Sequence, residues 1–233
     1  MPGPAVTLKE LHRLRRHIED LDEKIAEAPR KLSIQQKRLA NQEDALKAAQ
    51  EHLKHLALQI RDKEGSVKAT QTQIKKYEKQ FDEAANKKEY DALKSEIAQE
   101  REHISKHEDE ILAMMTETEE KAAQLPEVEK MTAKARADFA QFQKDLQELL
   151  ERMAADKTRS LEELKATEAT LSEDVRPQYD RMIAGKGIEA LAGLRGRICS
   201  ACYTEITSEM IRMIKSEMFI QCKNCGRMLY IEA

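Results

Sequence analysis

From Leu11 onward every seventh residue of the chain is apolar: Leu11, Ile18, Ile25, Leu32, Leu39, Leu46, Leu53, Ile60, Val67, Ile74 and Phe81. Apolar residues repeating every three and a half positions form a stripe that winds slowly around an α-helix and must be covered by another helix. The companion positions are mixed: Leu14, Leu21, Ala28 and Leu56 stand beside Gln35, Gln42, Ala49, Lys63, Thr70, Tyr77 and Ala84. Polar layers of this kind fix register at some cost in stability. A long coiled coil is therefore the element to which everything else in the chain must attach.

A candidate partner helix is in the same chain. A second heptad run begins at Tyr90, Leu93 and Ile97 and continues through Ile104, Ile111, Met114, Leu125, Val128, Ala135, Phe139, Phe142, Leu146, Leu149 and Met153. Glu100, His107, Thr118, Lys121 and Thr132 make weaker layers in it. Between the runs, Asn86-Lys87-Lys88-Glu89 has the form of a capping box. Pro29 predicts a kink or break near Ala28, and Pro126 a second bend or restart, because proline lacks the amide hydrogen and clashes with the preceding turn. After Met153 the spacing slips by one, to Leu161, Leu164, Leu171 and Val175. The expectation is a mainly α fold: an antiparallel coiled-coil hairpin over residues 5–174 with its turn near 83–88. Two separate helices or an intermolecular coiled coil are the alternatives.

All four cysteines of the protein follow, in Cys199-Ser200-Ala201-Cys202 and Cys222-Lys223-Asn224-Cys225. Two CxxC turns separated by nineteen residues can each present two thiolates to one point, which suits a tetrahedral zinc ion. A disulfide pair is the competing reading. Phe219-Ile220-Gln221 and Met228-Leu229-Tyr230-Ile231 read as two paired strands, Ser208 as the cap of a short helix ending at Lys215, and Gly226 as a turn residue of positive φ. The expectation is a small β zinc ribbon over 198–233, preceded by a neck over 175–197 whose short helix starts at Arg176 with Pro177 in its first turn. Four cysteine ligands leave no open coordination position, so the single Zn2+ should be structural.

Composition excludes more than it selects. With 36% charged residues, 4% aromatic residues and no Trp, the chain is too polar for one compact globule of its length. The net charge of −3 gives no overall attraction to nucleic acid or anionic membrane, although residues 175–233 carry nine Lys or Arg against six Asp or Glu. No stretch has the length and apolarity of a membrane span, and Met1-Pro2-Gly3-Pro4 lacks the features of a signal peptide; a cytoplasmic location is expected. The pairs His52/His55 and His103/His107 have no third ligand nearby and read as solvated or seam histidines. There is no phosphate-cradling Gly-rich loop, nucleophile elbow or distinctive carboxylate pair, so no enzymatic activity and no small-molecule substrate are expected.

The run Cys222-x-x-Cys225-Gly226-Arg227-Met228-Leu229-Tyr230, with Asn86-Lys87-Lys88-Glu89-Tyr90-Asp91-Ala92-Leu93, resembles the bacterial family of coiled-coil proteins that end in a four-cysteine zinc ribbon. The likeness spans essentially the whole chain. It implies a helical hairpin bearing a zinc ribbon, with no catalytic activity. Some members of that family are reported to bind an alternative sigma factor or messenger RNA and to influence flagellar gene expression; most are described only as nucleic-acid-binding candidates. Two roles follow as expectations. The first is an adaptor holding a protein client, for which Lys87, Lys88 and Tyr90 at the hairpin turn are candidate contacts. The second is RNA or DNA binding through Arg195, Arg197, Arg212, Lys215, Lys223 and Arg227, with Tyr203, Phe219 and Tyr230 available for stacking.

Overall fold

A computed structural model describes residues 3–84 and 86–232. Met1, Pro2, Ala85 and Ala233, and with them one residue of the expected turn and the last of the expected ribbon, lie outside the described residues. Two helices dominate: α1 spans Pro4–Asp82 and α2 spans Lys87–Glu168. They are followed by α3 (Arg176–Lys186), a helical turn (Gly187–Ala190), β1 (Leu191–Arg195), β2 (Ile198–Cys199), α4 (Ser208–Lys215) and β3 (Met228–Ile231). The chain forms two compact units, one of residues 33–142 and one of residues 1–32 with 143–233.

The unit of residues 33–142 is hairpin alone. Ion pairs and hydrogen bonds link the arms in descending order, Glu43 to Arg136, His52 to Glu117, Lys63 to Glu110 and Glu78 to Arg101, so the arms are antiparallel. Both seam series of α1 here are buried or half-buried, including the polar Gln35, Gln42, Lys63 and Thr70. On α2, Thr132 is fully buried and its hydroxyl donates to the Val128 carbonyl at 2.8 Å, which satisfies it without a partner on the other arm. Lys121 does not join the seam; it is exposed. At the turn the Asn86 side-chain oxygen accepts from the Glu89 amide at 3.0 Å, and the Asn86 side-chain amide meets the Glu89 carboxylate at 3.3 Å. This starts α2 by satisfying an amide that has no partner inside the helix. Tyr90 stacks on Phe81 with ring centroids 4.1 Å apart.

Neither proline breaks its helix. Pro29 and Pro126 both lie inside continuous α-helix, contrary to a break or restart at either site. Both rings are exposed, so the carbonyl four residues earlier, which loses its amide partner, can be hydrated while the seam on the other side keeps its contacts.

In the other unit the hairpin base carries the rest of the chain. The arms are joined here by His17 with Asp156 at 3.0 Å, by Asp22 with Lys157, and by Arg15 with Glu168 at 2.6 Å. The slip in spacing comes earlier than Met153. Leu149 is 46% exposed while Leu150 is half-buried, so the seam steps from Leu146 to Leu150 and continues through Met153, Ser160 and Leu164. Two successive steps of four residues correct the drift between a 3.5-residue repeat and the 3.6-residue turn.

The sheet has the order β2-β1-β3. β1 pairs antiparallel with β2 and parallel with β3, in the register Leu191 with Met228 through Leu194 with Ile231. The expected pairing of Phe219–Gln221 with β3 is reduced to a bridge between Gln221 and Met228 and one hydrogen bond from the Leu229 amide to the Ile220 carbonyl, 2.9 Å. The central strand instead comes from residues expected to be neck. Leu191-Ala192-Gly193-Leu194 is buried on both faces, so it shows no polar-apolar alternation and gave no strand signal.

Alternation along the strands divides two cores. Leu191, Met228 and Tyr230 face the hairpin base and pack with Leu8, Leu11, Leu14, Leu164, Leu171, Val175 and Tyr179. Ala192, Leu194 and Leu229 face the other way, onto α4 through Met210 and Ile214 and onto Cys199 and Cys222. Hairpin base, sheet, and α4 with the cysteine turns thus form three layers. Thr207, not Ser208, caps α4, its hydroxyl accepting from the Met210 amide at 3.3 Å.

Candidate metal centre

The two CxxC turns are built alike from backbone hydrogen bonds. The Cys199 amide donates to the Thr204 carbonyl at 3.0 Å and the Cys222 amide to the Arg227 carbonyl at 2.8 Å. The residue after each second cysteine closes the turn onto the first, Tyr203 to the Cys199 carbonyl at 2.9 Å and Gly226 to the Cys222 carbonyl at 2.8 Å. Both closing residues have positive φ, 59° at Tyr203 and 72° at Gly226. Glycine adopts this conformation freely, whereas tyrosine does so at a cost of about 1 kcal/mol. Overlaying one CxxC on the other in the sequence would have flagged Tyr203, since it stands where the second turn has Gly226.

Tyr203 is 80% exposed, so its ring contributes little packing that would offset the strain. Tyr203→Gly is therefore expected to stabilise the metal-loaded protein by up to about 1 kcal/mol, read as a raised denaturation midpoint.

The four sulfur atoms converge. All lie within 4.8 Å of one another, with Cys199 Sγ 3.9 Å from Cys225 Sγ and Cys202 Sγ 3.6 Å from Cys222 Sγ. Four thiolates at about 2.3 Å from one tetrahedral ion would stand about 3.8 Å apart, so the set fits a metal ion. All four cysteines are free of disulfides. Burial pushes the Cys199 thiol up to about 12 and raises that of Cys222. The Thr204 hydroxyl and amide, hydrogen-bonded to Cys202, bring its thiol down to about 5. An ion bound here would supply the charge that holds all four as thiolates. Around the sulfurs, Asn224 Nδ2 donates to Thr204 Oγ1 at 2.9 Å, and Lys186 Nζ to the Cys225 carbonyl at 3.0 Å.

The six basic residues of the head do not form one surface. Arg195 pairs with Glu232 at 2.9 Å, Arg197 with Glu205 at 3.2 Å and Arg227 with Glu189 at 2.7 Å. Arg212 is exposed on the outer side of α4, opposite the buried Met210 and Ile214. Lys215 borders a groove with Arg197 and Ile211, while Lys223 borders another with Met213 and Phe219. Of the aromatic candidates only Tyr203 is free to stack: Tyr230 is buried and Phe219 packs against the core at the hairpin base. At the turn Lys87, Lys88 and Tyr90 are exposed.

Sequence reading missed the residues that join head to hairpin. Glu217, at φ 60°, accepts the Ala5 amide on its carboxylate at 3.1 Å and so caps the N-terminus of α1 from the far end of the chain. His12 Nδ1 lies 2.8 Å from the Tyr230 hydroxyl, with the rings edge to face. Tyr179 donates to Glu168 at 3.0 Å and accepts from Arg15 Nε at 2.8 Å; burial raises its phenol well above the usual range. No local pattern marks contacts between residues so far apart in sequence.

Burial lowers the His12 imidazole below its usual value, with Arg16 adding to the effect and Glu189 and Glu232 opposing it. The neutral ring is thus favoured by folding. Its contribution is fully present above the unfolded value near 6.5 and is lost as pH falls through that value to the folded one. Denaturation at pH 7.5 and 5.5 should show a fall in stability on acidification that is smaller in His12→Gln.

The sequence matches the CT398-like coiled coil hairpin domain over residues 8–187. The chain belongs to that family. Similar solved structures include CT398 from Chlamydia trachomatis, at 16% identity and TM-score 0.77, covering 97% of this chain and 98% of that one. The HP0958 protein from Helicobacter pylori is 17% identical with TM-score 0.58, over 100% of both chains. A protein of Mycobacterium smegmatis is 19% identical with TM-score 0.52, covering 98% of this chain and 99% of that one. At these identities the likeness shows the fold. No curated protein sequence matches the chain. No described helix of this CT398-like protein is long and apolar enough to cross a membrane.

Proposed function

We propose that the chain is a non-enzymatic adaptor: a coiled-coil hairpin that binds a protein client and carries a ribbon held by one structural zinc ion. The observation that carries this reading is the distribution of surface chemistry. Half of the basic side chains that would meet phosphate are already paired with carboxylates of the head; of the others, Arg212 and Lys215 lie one turn apart on α4, and Lys223 borders a different groove. In the unit of residues 33–142, by contrast, large apolar side chains stand outside the seam, among them Leu112 at 62% exposure and Met115 at 46%. Lying outside the seam, they are available to a protein client. A four-thiolate zinc site has no position left for a water or substrate, which supports a structural role. The resemblance of the motifs to the zinc-ribbon family suggests a transcription component, such as an alternative sigma factor, as the client, and the cytoplasm as the location.

Nucleic-acid binding through Arg212, Lys215 and Lys223 is the second reading, favoured by the three basic side chains that carry no carboxylate partner among the described residues. Affinity capture of the intact protein from its own cytoplasm, with and without nuclease, separates the two. The adaptor reading expects a protein partner that survives nuclease and is lost in Leu112→Glu. Recovery of nucleic acid alone, with binding that weakens steeply with salt and is lost in Arg212→Glu, would overturn it.

A further inference from the structure

The metal centre and the hairpin base are joined by very short covalent and hydrogen-bonded paths. β3 begins three residues after Cys225, and the hydrogen bond from the Cys222 amide to Arg227 fixes the residue immediately before it. β1 is tied to the other cysteine turn, because the Ser200 amide donates to the Gly193 carbonyl at 2.9 Å. The same two strands supply Leu191, Met228 and Tyr230, which cover Leu8, Leu11 and Leu14 of α1. Two polar contacts finish the joint: His12 with Tyr230, and the Glu217 carboxylate on the Ala5 amide. A carboxylate at a helix N-terminus both satisfies an unpaired amide and complements the helix dipole.

From this geometry we infer that filling of the four-cysteine site controls closure of the hairpin base, the ribbon acting as a metal-dependent clamp on the N-terminal turns of α1. With the metal bound, both cysteine turns hold their strands and the strands hold α1. Without it, β1 and β3 lose their anchors, the Glu217 cap is released, and Leu8, Leu11, Leu14, Leu164 and Leu171 become exposed. By linkage, the clamp must act in return on the metal: whatever loosens the joint weakens zinc binding by the same factor. The inference rests on the zinc reading of the cysteines and adds to it a switch in the helical part of the protein.

Amide hydrogen exchange on the full chain, loaded with one equivalent of Zn2+ or stripped by a chelator under reducing conditions, tests it. Exchange over residues 4–18 should be at least about tenfold faster in the stripped protein, while residues 93–118 of the hairpin change little. A second variant leaves every ligand in place: Glu217→Gly removes the cap but suits the positive φ of that turn. It should speed exchange over residues 4–9 with zinc still bound and weaken zinc affinity about fivefold in a chelator competition, the equivalent of losing one helix cap. Equal protection of residues 4–18 with and without metal would overturn the clamp. Unchanged zinc affinity in Glu217→Gly would overturn the reciprocal coupling on which it depends. Failure to take up zinc at all, seen in the loading step before any exchange is measured, would instead sink the zinc reading and the clamp with it.

Discussion

Replacing Cys222 by serine should abolish stoichiometric metal binding and unfold residues 191–232 while leaving most of the helix content in place. Cys222 is buried beside Leu194 and Leu229, and its amide anchors the turn that leads into β3. A structural zinc ion contributes apparent binding energies of about 10–16 kcal/mol at neutral pH, far more than a ribbon of this size gains from apolar burial. Losing one of the four cysteines also leaves the buried Cys199 thiol, which burial already pushes up, without the charge that would favour its ionisation. Metal content, near-ultraviolet dichroism of the ribbon's tyrosines and far-ultraviolet dichroism of the helices would be measured together. A ribbon that kept its tertiary signal without metal would refute the prediction.

The second large effect lies at the hairpin base. Leu11 is 0% exposed, enclosed by Leu8, Leu14, Met228 and Tyr230. Leu11→Ala should cost about 2–5 kcal/mol, because it removes buried methyl groups and leaves a cavity that three packed layers cannot collapse around. Leu39 occupies the equivalent heptad position but is only half-buried between two helices, and Leu39→Ala should cost clearly less. Leu58→Ala, at a site 59% exposed, should change stability by less than about 0.5 kcal/mol. Chemical denaturation of the three variants gives the order; equal losses for Leu11 and Leu39 would show that the sheet adds nothing to the burial of the base.

That comparison marks the boundary of what a pattern can tell. The heptads predict Leu11 and Leu39 as equivalent, and as seam residues both are correctly placed. What distinguishes them is a layer contributed by residues 191–230, whose position relative to α1 no local spacing encodes. The cysteine turns were legible for the opposite reason, since the ligands of each turn are neighbours in sequence and the turn geometry is local. The parallel pairing of β1 with β3 was not legible, because its partners are over thirty residues apart and β1 has no polar face to set a period. Of the alternatives at Pro29 and Pro126, the break and the restart do not occur, because the cost of proline in a helix depends on its surroundings, and exposure is a tertiary property.

The sequence by itself determined the hairpin, its capped turn and the two cysteine turns of the possible metal site, all of which depend on periodicity or on contacts within a few residues. The tertiary structure alone decided that the ribbon's sheet packs on the hairpin base, that Glu217 caps α1 and that most of the head's arginines are neutralised. Those outcomes depend on side chains brought together from distant parts of the chain, where burial and charge are set by neighbours that the local sequence does not specify.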